Sequence, residues 1–223
     1  LHAGALWSEP TRLPDPMRRY IQQADARIAQ MSGQPFGAPY LEHLLLDPDL
    51  VLDSRPVIAA VLAAQSLDAT KALPMLRGIQ HAHYEQGRHV VREETLVEIA
   101  KSVGLDAAAF TAALRAAPVD GHIADAREFM GNIGAQGFPV FVLQIGDDRF
   151  AVPHGRFASA PAKFAEWLEM QLENRAVSGQ RQPPIEIAAP LLEQPPCQAL
   201  EIESRAEAGS YRTATRFGET VGG

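Results

Sequence analysis

Apolar and polar positions change their period along the chain, and the changes divide it. In Leu1–Trp7, LHAGALW, the residues Leu1, Ala3, Ala5 and Trp7 alternate with smaller or polar ones, a period of two that predicts a short strand. The next segment, SEPTRLPDP, carries Pro10, Pro14 and Pro16 and is predicted to be a loop. From MRRYIQQADARIAQMSG onward the apolar residues recur at helical spacing, with Gly33 as the stop of the first helix. The helical period persists to about residue 133 through YLEHLLLD, DSRPVIAAVLAAQSL, ALPMLRGIQHAHYEQG, REETLVEIAKSVG, DAAAFTAALRAA and DGHIADAREFMGNIG. Asp53 or Ser54 and Asp106 are N-caps, Pro56 and Pro74 sit in first turns where a missing N–H costs nothing, and Glu93 and Glu94 favour a helix N-terminus. Five or six helices are therefore expected between the first strand and the next.

After Pro139 the period returns to two. VFVLQI and RFAVP are strands on either side of the turn signal GDD, an antiparallel hairpin. SAPAKFAEWLEMQL is a helix capped by Ser159, with Phe164, Trp167, Leu168 and Leu172 on one stripe. Beyond about Glu173 the chain is rich in Pro, Gly, Glu, Arg and Ser with weak periodicity, which predicts a linker and a mostly disordered tail. IEIAAPL and ALEIES are the tail segments best suited to become strands if given an edge.

Composition narrows the function classes. With 223 residues, of which 46% are hydrophobic, the chain can bury a substantial core. A net charge of −7 gives no electrostatic footprint for nucleic acid. No apolar run reaches the roughly 18 to 20 residues of a membrane helix, and no signal-peptide pattern opens the chain, so a cytoplasmic protein is expected. The one cysteine, Cys197, follows two prolines without a nearby histidine or helix start, and is expected to be an incidental thiol. His81 and His83 lie roughly 200° apart around a helix and cannot ligate one metal from one face. Ser8, Ser54 and Ser159 have no nucleophile-elbow context, and GAQG precedes a strand rather than the helix a dinucleotide loop requires. No catalytic residue, metal ligand or cofactor is therefore assigned.

The stretch GAQGFPVFVL poses the remaining question, why Pro139 stands at the mouth of a strand. Proline is tolerated at a strand's first residue. With about 5–6% of X-Pro bonds cis in folded proteins, 17 prolines predict roughly one cis bond, so composition cannot select Pro139. The order of elements does more. LHAGALWSEP as a strand, GQPFGAPY, DSRPVIAAVLAAQ and HAHYEQG within a helical block, and then GFPVFVL before a hairpin and a helix resemble the DsbA-like branch of the thioredoxin superfamily over about residues 1 to 172. The resemblance implies an α/β thioredoxin-like fold with a large helical insertion. Residues 1–13 and 120–173 would form the thioredoxin-like part, 14–119 the insertion and 174–223 the tail. It implies a cis bond at Pro139, and substrate binding at Gly137, Phe138 and Pro139, where the backbone before the proline pairs with an extended peptide or a small thiol.

The family's chemistry rests on a CxxC dithiol that opens the first helix, after the first strand, and neither occurs here. Since the chain begins with Leu1 rather than Met, a truncated, redox-inactive form of a disulfide oxidoreductase or isomerase is the first expectation. The alternatives are a glutathione-dependent isomerase or transferase of the chromene-carboxylate isomerase or kappa type, with glutathione as substrate or ligand, and a non-catalytic peptide-binding or dimerising module. Without a first strand the sheet would carry unpaired ladder groups, each costing about 1–3 kcal/mol when buried. IEIAAPL, with Ile185, Ile187 and Leu191 between Pro184 and Pro190, is one candidate replacement strand, and strand exchange in a homodimer is another.

Overall fold

The computed structural model describes residues 1–135, 139–145, 148–157 and 160–178. Helices dominate, for the local reasons that made them legible. Helix α1 (Asp15–Ser32) follows Pro14, holds Pro16 and Asp15 in its first turn, and ends at Gly33. Helix α2 (Ser54–Leu67) is capped by the Asp53 carboxylate, which accepts the Arg55 N–H at 2.8 Å. Helices α3 (Ala72–Tyr84) and α4 (Glu93–Ser102) follow. In α5 (Ala107–Ala116), Asp106 accepts the Ala109 N–H at 2.8 Å, and α6 (Val119–Asn132) starts after Pro118. YLEHLLLD is not one α-helix. Pro39–His43 winds as a wide π turn and Leu44–Leu46 as a tight 3₁₀ turn, a change of pitch that turns Tyr40, Leu44 and Leu45 together into the interior.

The main core lies among α2, α3, α4 and α5. Ala60, Ala63 and Ala64 give α2 a flat face on which Met75, Ile79, Leu96, Ile99 and Phe110 pack, each at most 4% exposed. Gly78 in α3 leaves room for the Ile99 side chain, which a β-carbon would meet. A second core joins Tyr40, Leu44, Leu45 and Leu50 to Ile21 and Phe36. Beside it Arg18 is buried. Its Nε donates to the Leu13 carbonyl at 2.9 Å, and its Nη1 donates to the carbonyls of Leu45 at 2.8 Å and Asp47 at 2.6 Å. The positive charge is thus compensated chiefly by carbonyl dipoles, with the Asp15 carboxylate more distant at 3.9 Å.

Leu1–Trp7 is not a strand. A strand exists only as a partner in a ladder, and no described strand lies beside this segment. It is instead fixed at Trp7, whose N–H donates to Ser54 Oγ at 3.0 Å and whose carbonyl accepts the Ser54 N–H at 2.9 Å. The first strand falls within the predicted loop: β1 (Thr11–Arg12) pairs antiparallel with β2 (Val51–Leu52), Thr11 opposite Leu52. The predicted hairpin is present. Strands β3 (Phe141–Ile145) and β4 (Asp148–Val152) pair antiparallel, Phe141 opposite Val152 and Leu143 opposite Phe150. Among the described residues they form a two-stranded sheet.

After a 3₁₀ turn at His154–Phe157, α7 spans Pro161–Ser178 and so continues past Glu173, where the tail was expected to begin. Phe164 and Trp167 pack with Phe157, but Leu172, expected on the same stripe, is 45% exposed. The Ser159 cap, Cys197, the candidate strand IEIAAPL and the rest of the tail from 179 lie outside the described residues.

Candidate functional site

The chain approaches Pro139 from the end of α6. Gly134, at φ 65°, turns the backbone in the left-handed region that favours glycine, and the Ala135 N–H closes back on the Met130 carbonyl at 3.0 Å. Gly137 and Phe138 lie outside the described residues; Pro139 is exposed at the entrance to β3. Val140 and Phe141, which follow, are 39% and 47% exposed. The Phe141 ring lies 4.9 Å from the His154 ring and 6.2 Å from Phe164, starting an aromatic row that continues to Phe157 and Trp167. The entrance to β3 is therefore an apolar surface with an imidazole at its margin.

The N-terminal segment meets α6, and Arg149 of the hairpin reaches the same helix. The Ala3 N–H donates to His122 Nε2 at 2.9 Å, and the His2 ring stacks on Phe129 at 4.8 Å, with the Arg149 guanidinium 5.4 Å from the centre of the Phe129 ring. No group of three or more His, Cys, Asp or Glu side chains fit to hold a metal occurs among the described residues. His81 and His83 are kept apart, as their spacing predicts: exposed His81 pairs with Glu85 at 2.9 Å, while His83 turns inward. Glu93 serves its helix N-terminus and is also held by Arg115 at 2.6 Å, which keeps its carboxyl below the ordinary range.

Sequence reasoning missed a buried polar group. The Tyr40 hydroxyl donates to Asp25 Oδ2 at 2.8 Å, with the two residues 3% and 7% exposed. His83 lies 5.2 Å from the Tyr40 ring and 4.7 Å edge-on from Tyr84, and its buried Nδ1 has no hydrogen-bond partner among the described residues. Burial raises the Asp25 pKa against the opposing effect of the Tyr40 hydrogen bond, and burial together with Asp25 raises that of Tyr40. Burial also pushes His83 down to about 4, partly offset by a hydrogen bond to the Arg88 backbone. The signal in the sequence was faint. Arg18, Ile21 and Asp25 share one face of α1 at helical spacing, so an acid sits on the face that carries an inward-packing isoleucine. The cluster holds charge and protons in place, but among the described residues it opens on no nucleophile.

Comparison with known proteins bears on most of the chain. A family model for the DsbA-like thioredoxin domain matches residues 17–160. Among solved structures, the cytosolic disulfide reductase DsbM from Pseudomonas aeruginosa is 40% identical, with a TM-score of 0.70 over 78% of this chain and 83% of that one. A structure of the same reductase with GSH is 39% identical at a TM-score of 0.69, again over 78% and 83%. A "putative protein disulfide isomerase" from Nitrosomonas europaea, 21% identical at a TM-score of 0.63 over 75% and 79%, shares the fold. A search of curated proteins returns no match. The mostly helical architecture with its small sheet is thus the DsbA-like thioredoxin fold, and the chain belongs to the DsbA-like thioredoxin-domain family.

Proposed function

We propose that this chain provides the substrate-binding part of a cytoplasmic DsbA-like disulfide oxidoreductase. It takes glutathione or an extended peptide along the backbone that enters Pro139, with Gly137, Phe138 and Pro139 as the binding residues. The observation that carries this reading is the 40% identity to a cytosolic disulfide reductase that has also been solved with GSH. The local chemistry agrees with it. A proline has no N–H to offer a neighbouring strand, and an extended ligand that pairs with the backbone leading into it would bind by strand addition. Exposed Val140 and Phe141 supply apolar surface beside that backbone. Among the described residues, no helix is long and apolar enough to cross a membrane.

The 223 residues contain one cysteine, so an intramolecular dithiol cannot form within them. Binding is therefore expected from this chain, and catalytic dithiol exchange is not. Calorimetric titration with reduced glutathione tests the first part. Saturable binding that weakens about tenfold in Pro139→Ala, the equivalent of about 1.4 kcal/mol, supports the reading. A flat titration defeats it. Insulin reduction tests the second part: turnover above the Cys197→Ser background would show that this chain is redox-active after all.

A further inference from the structure

Helix α1 carries two stripes, and the second core uses one of them. Arg18 and Asp25 are buried on that side, Ile21 packs against the cluster of Tyr40, Leu44, Leu45 and Leu50, and the Gln22 amide donates to the Leu41 carbonyl at 3.4 Å. Met17, Tyr20, Ala24, Ile28 and Met31 make the other stripe. At about 100° per residue these five fall within roughly 80° of arc, centred roughly 110° from the buried side. Tyr20, Ile28 and Met31 are 57%, 42% and 52% exposed, and Met17 and Ala24 are partly exposed. Among the described residues no hydrogen bond or ring contact engages the Tyr20 side chain. Such residues mean little when scattered, but in one line along an 18-residue helix they mark an interaction surface.

The spacing identifies what covers it. The stripe lies seven and four residues before Ala24 and four and seven after it, so it reads the same in both directions. A two-fold contact requires that property, because residue i must meet j while j meets i. In an antiparallel pair centred on Ala24, Met17 lies opposite the partner's Met31, Tyr20 opposite the partner's Ile28, and Ala24 opposite the partner's Ala24. The smallest side chain sits on the axis, where the helices approach most closely. Charge agrees with this arrangement. Antiparallel alignment sets the N-terminal end of each helix beside the C-terminal end of the other, and α1 has no basic residue in its last turn to offset its own negative end. The stripe holds no charged residue, Asp15 lies on the opposite side of the helix, and Arg27 on the border comes level with the partner's Tyr20, whose ring face attracts a cation.

We propose that this face joins α1 to α1 of a second copy of the chain in an antiparallel, two-fold dimer. With a face of about 27 Å by 10 Å on each copy, the contact is smaller than the roughly 1,200–2,000 Å² of total buried surface in stable complexes, so the dimer is weak and exchanges with monomer.

Sedimentation equilibrium on the full 223-residue chain, in a Cys197→Ser background that removes its one thiol, tests this. A monomer–dimer equilibrium is expected, weakened by about tenfold or more in Ala24→Glu, which sets two carboxylates face to face on the axis. In the same background Ala24→Cys should oxidise to a disulfide-linked dimer under copper phenanthroline, and Ala26→Cys, on the far side of the helix, should not. Three results overturn the proposal. One is a chain still monomeric at about 1 mM, where even a millimolar dissociation constant would show dimer. Another is a dimer as strong in Ala24→Glu as without it, which would place the contact on a different face. The third is equal crosslinking at the two cysteine positions, which decides the matter if Ala24→Glu does not fold.

Discussion

Tyr40 gives Asp25 the one hydrogen bond described for its buried carboxylate, so the two residues are not equivalent targets. Tyr40→Phe leaves an acid buried without its donor and is expected to cost roughly 1–3 kcal/mol in urea unfolding. Asp25→Asn keeps an acceptor oxygen and removes the charge, and is expected to cost less than Tyr40→Phe at pH 7. His83 makes stability depend on pH. Because its folded pKa is depressed from 6.5 to about 4, its contribution is fully present above 6.5 and is lost as pH falls toward 4, on the order of 3 kcal/mol in total. Asp25 acts in the opposite sense. Its raised pKa contributes stability that is fully present below 3.8 and lost as pH rises through the folded value. Urea midpoints at pH 7, 5.5 and 4.5 should therefore show a decline in the wild type that His83→Phe flattens. None of this was visible in HAHYEQG, because what distinguishes His83 from His81 is the Tyr40 ring, more than forty residues away in sequence.

Helices α1 to α6 were legible because their signals are local: Asp53 and Asp106 cap within three residues, and Pro14 and Gly33 bound α1 from positions adjacent to it. Asp106→Ala should cost about 1 kcal/mol, read by thermal or urea unfolding. Strands were legible only where both partners lay close together, as in the hairpin after Pro139. LHAGALW has the strand period without a described partner, and Thr11–Arg12 found one in Val51–Leu52 that no local pattern announced. A second contact that spacing could not reveal is the meeting of the loops after α1 and α3. The Gly37 N–H donates to the Tyr84 carbonyl at 2.8 Å, and a β-carbon on Gly37 would run into the Glu85 carbonyl. Gly87, at φ 63°, is pressed against the Pro39 carbonyl in the same way. Gly87→Ala combines left-handed strain with that clash and is expected to lose about 1–3 kcal/mol or more, whereas Gly121→Ala, with open space around it, should be neutral or stabilising. The difference between the two variants in one unfolding series checks the claim.

For the molecule as a whole, family membership was legible in the order of elements, because the helical block followed by GFPVFVL is an arrangement that composition alone does not produce. The assignment of Gly137, Phe138 and Pro139 as binding residues is a proposal that rests on that likeness and not on geometry. If the proposed reading holds, glutathione binds the folded chain and stabilises it by mass action. Glutathione at about a hundred times its dissociation constant should add about 2.7 kcal/mol, a rise of several degrees in Tm that Pro139→Ala diminishes. An unchanged Tm across the glutathione range would contradict it.

Arg18 reaches carbonyls 5, 27 and 29 residues from itself, and none of its partners among the described residues lies beyond Asp47. The loops it closes are short, so the entropy lost in closing them is modest. The described groups that compensate this buried cation all come from the stretch between Leu13 and Asp47, so that stretch can close on itself. The four helices of the main core need not exist for that to happen. The arginine is thus a fastening for the stretch from Leu13 to Asp47, and Arg18→Lys, with its single compact ammonium in place of a planar fork, would loosen that part before it loosened the rest.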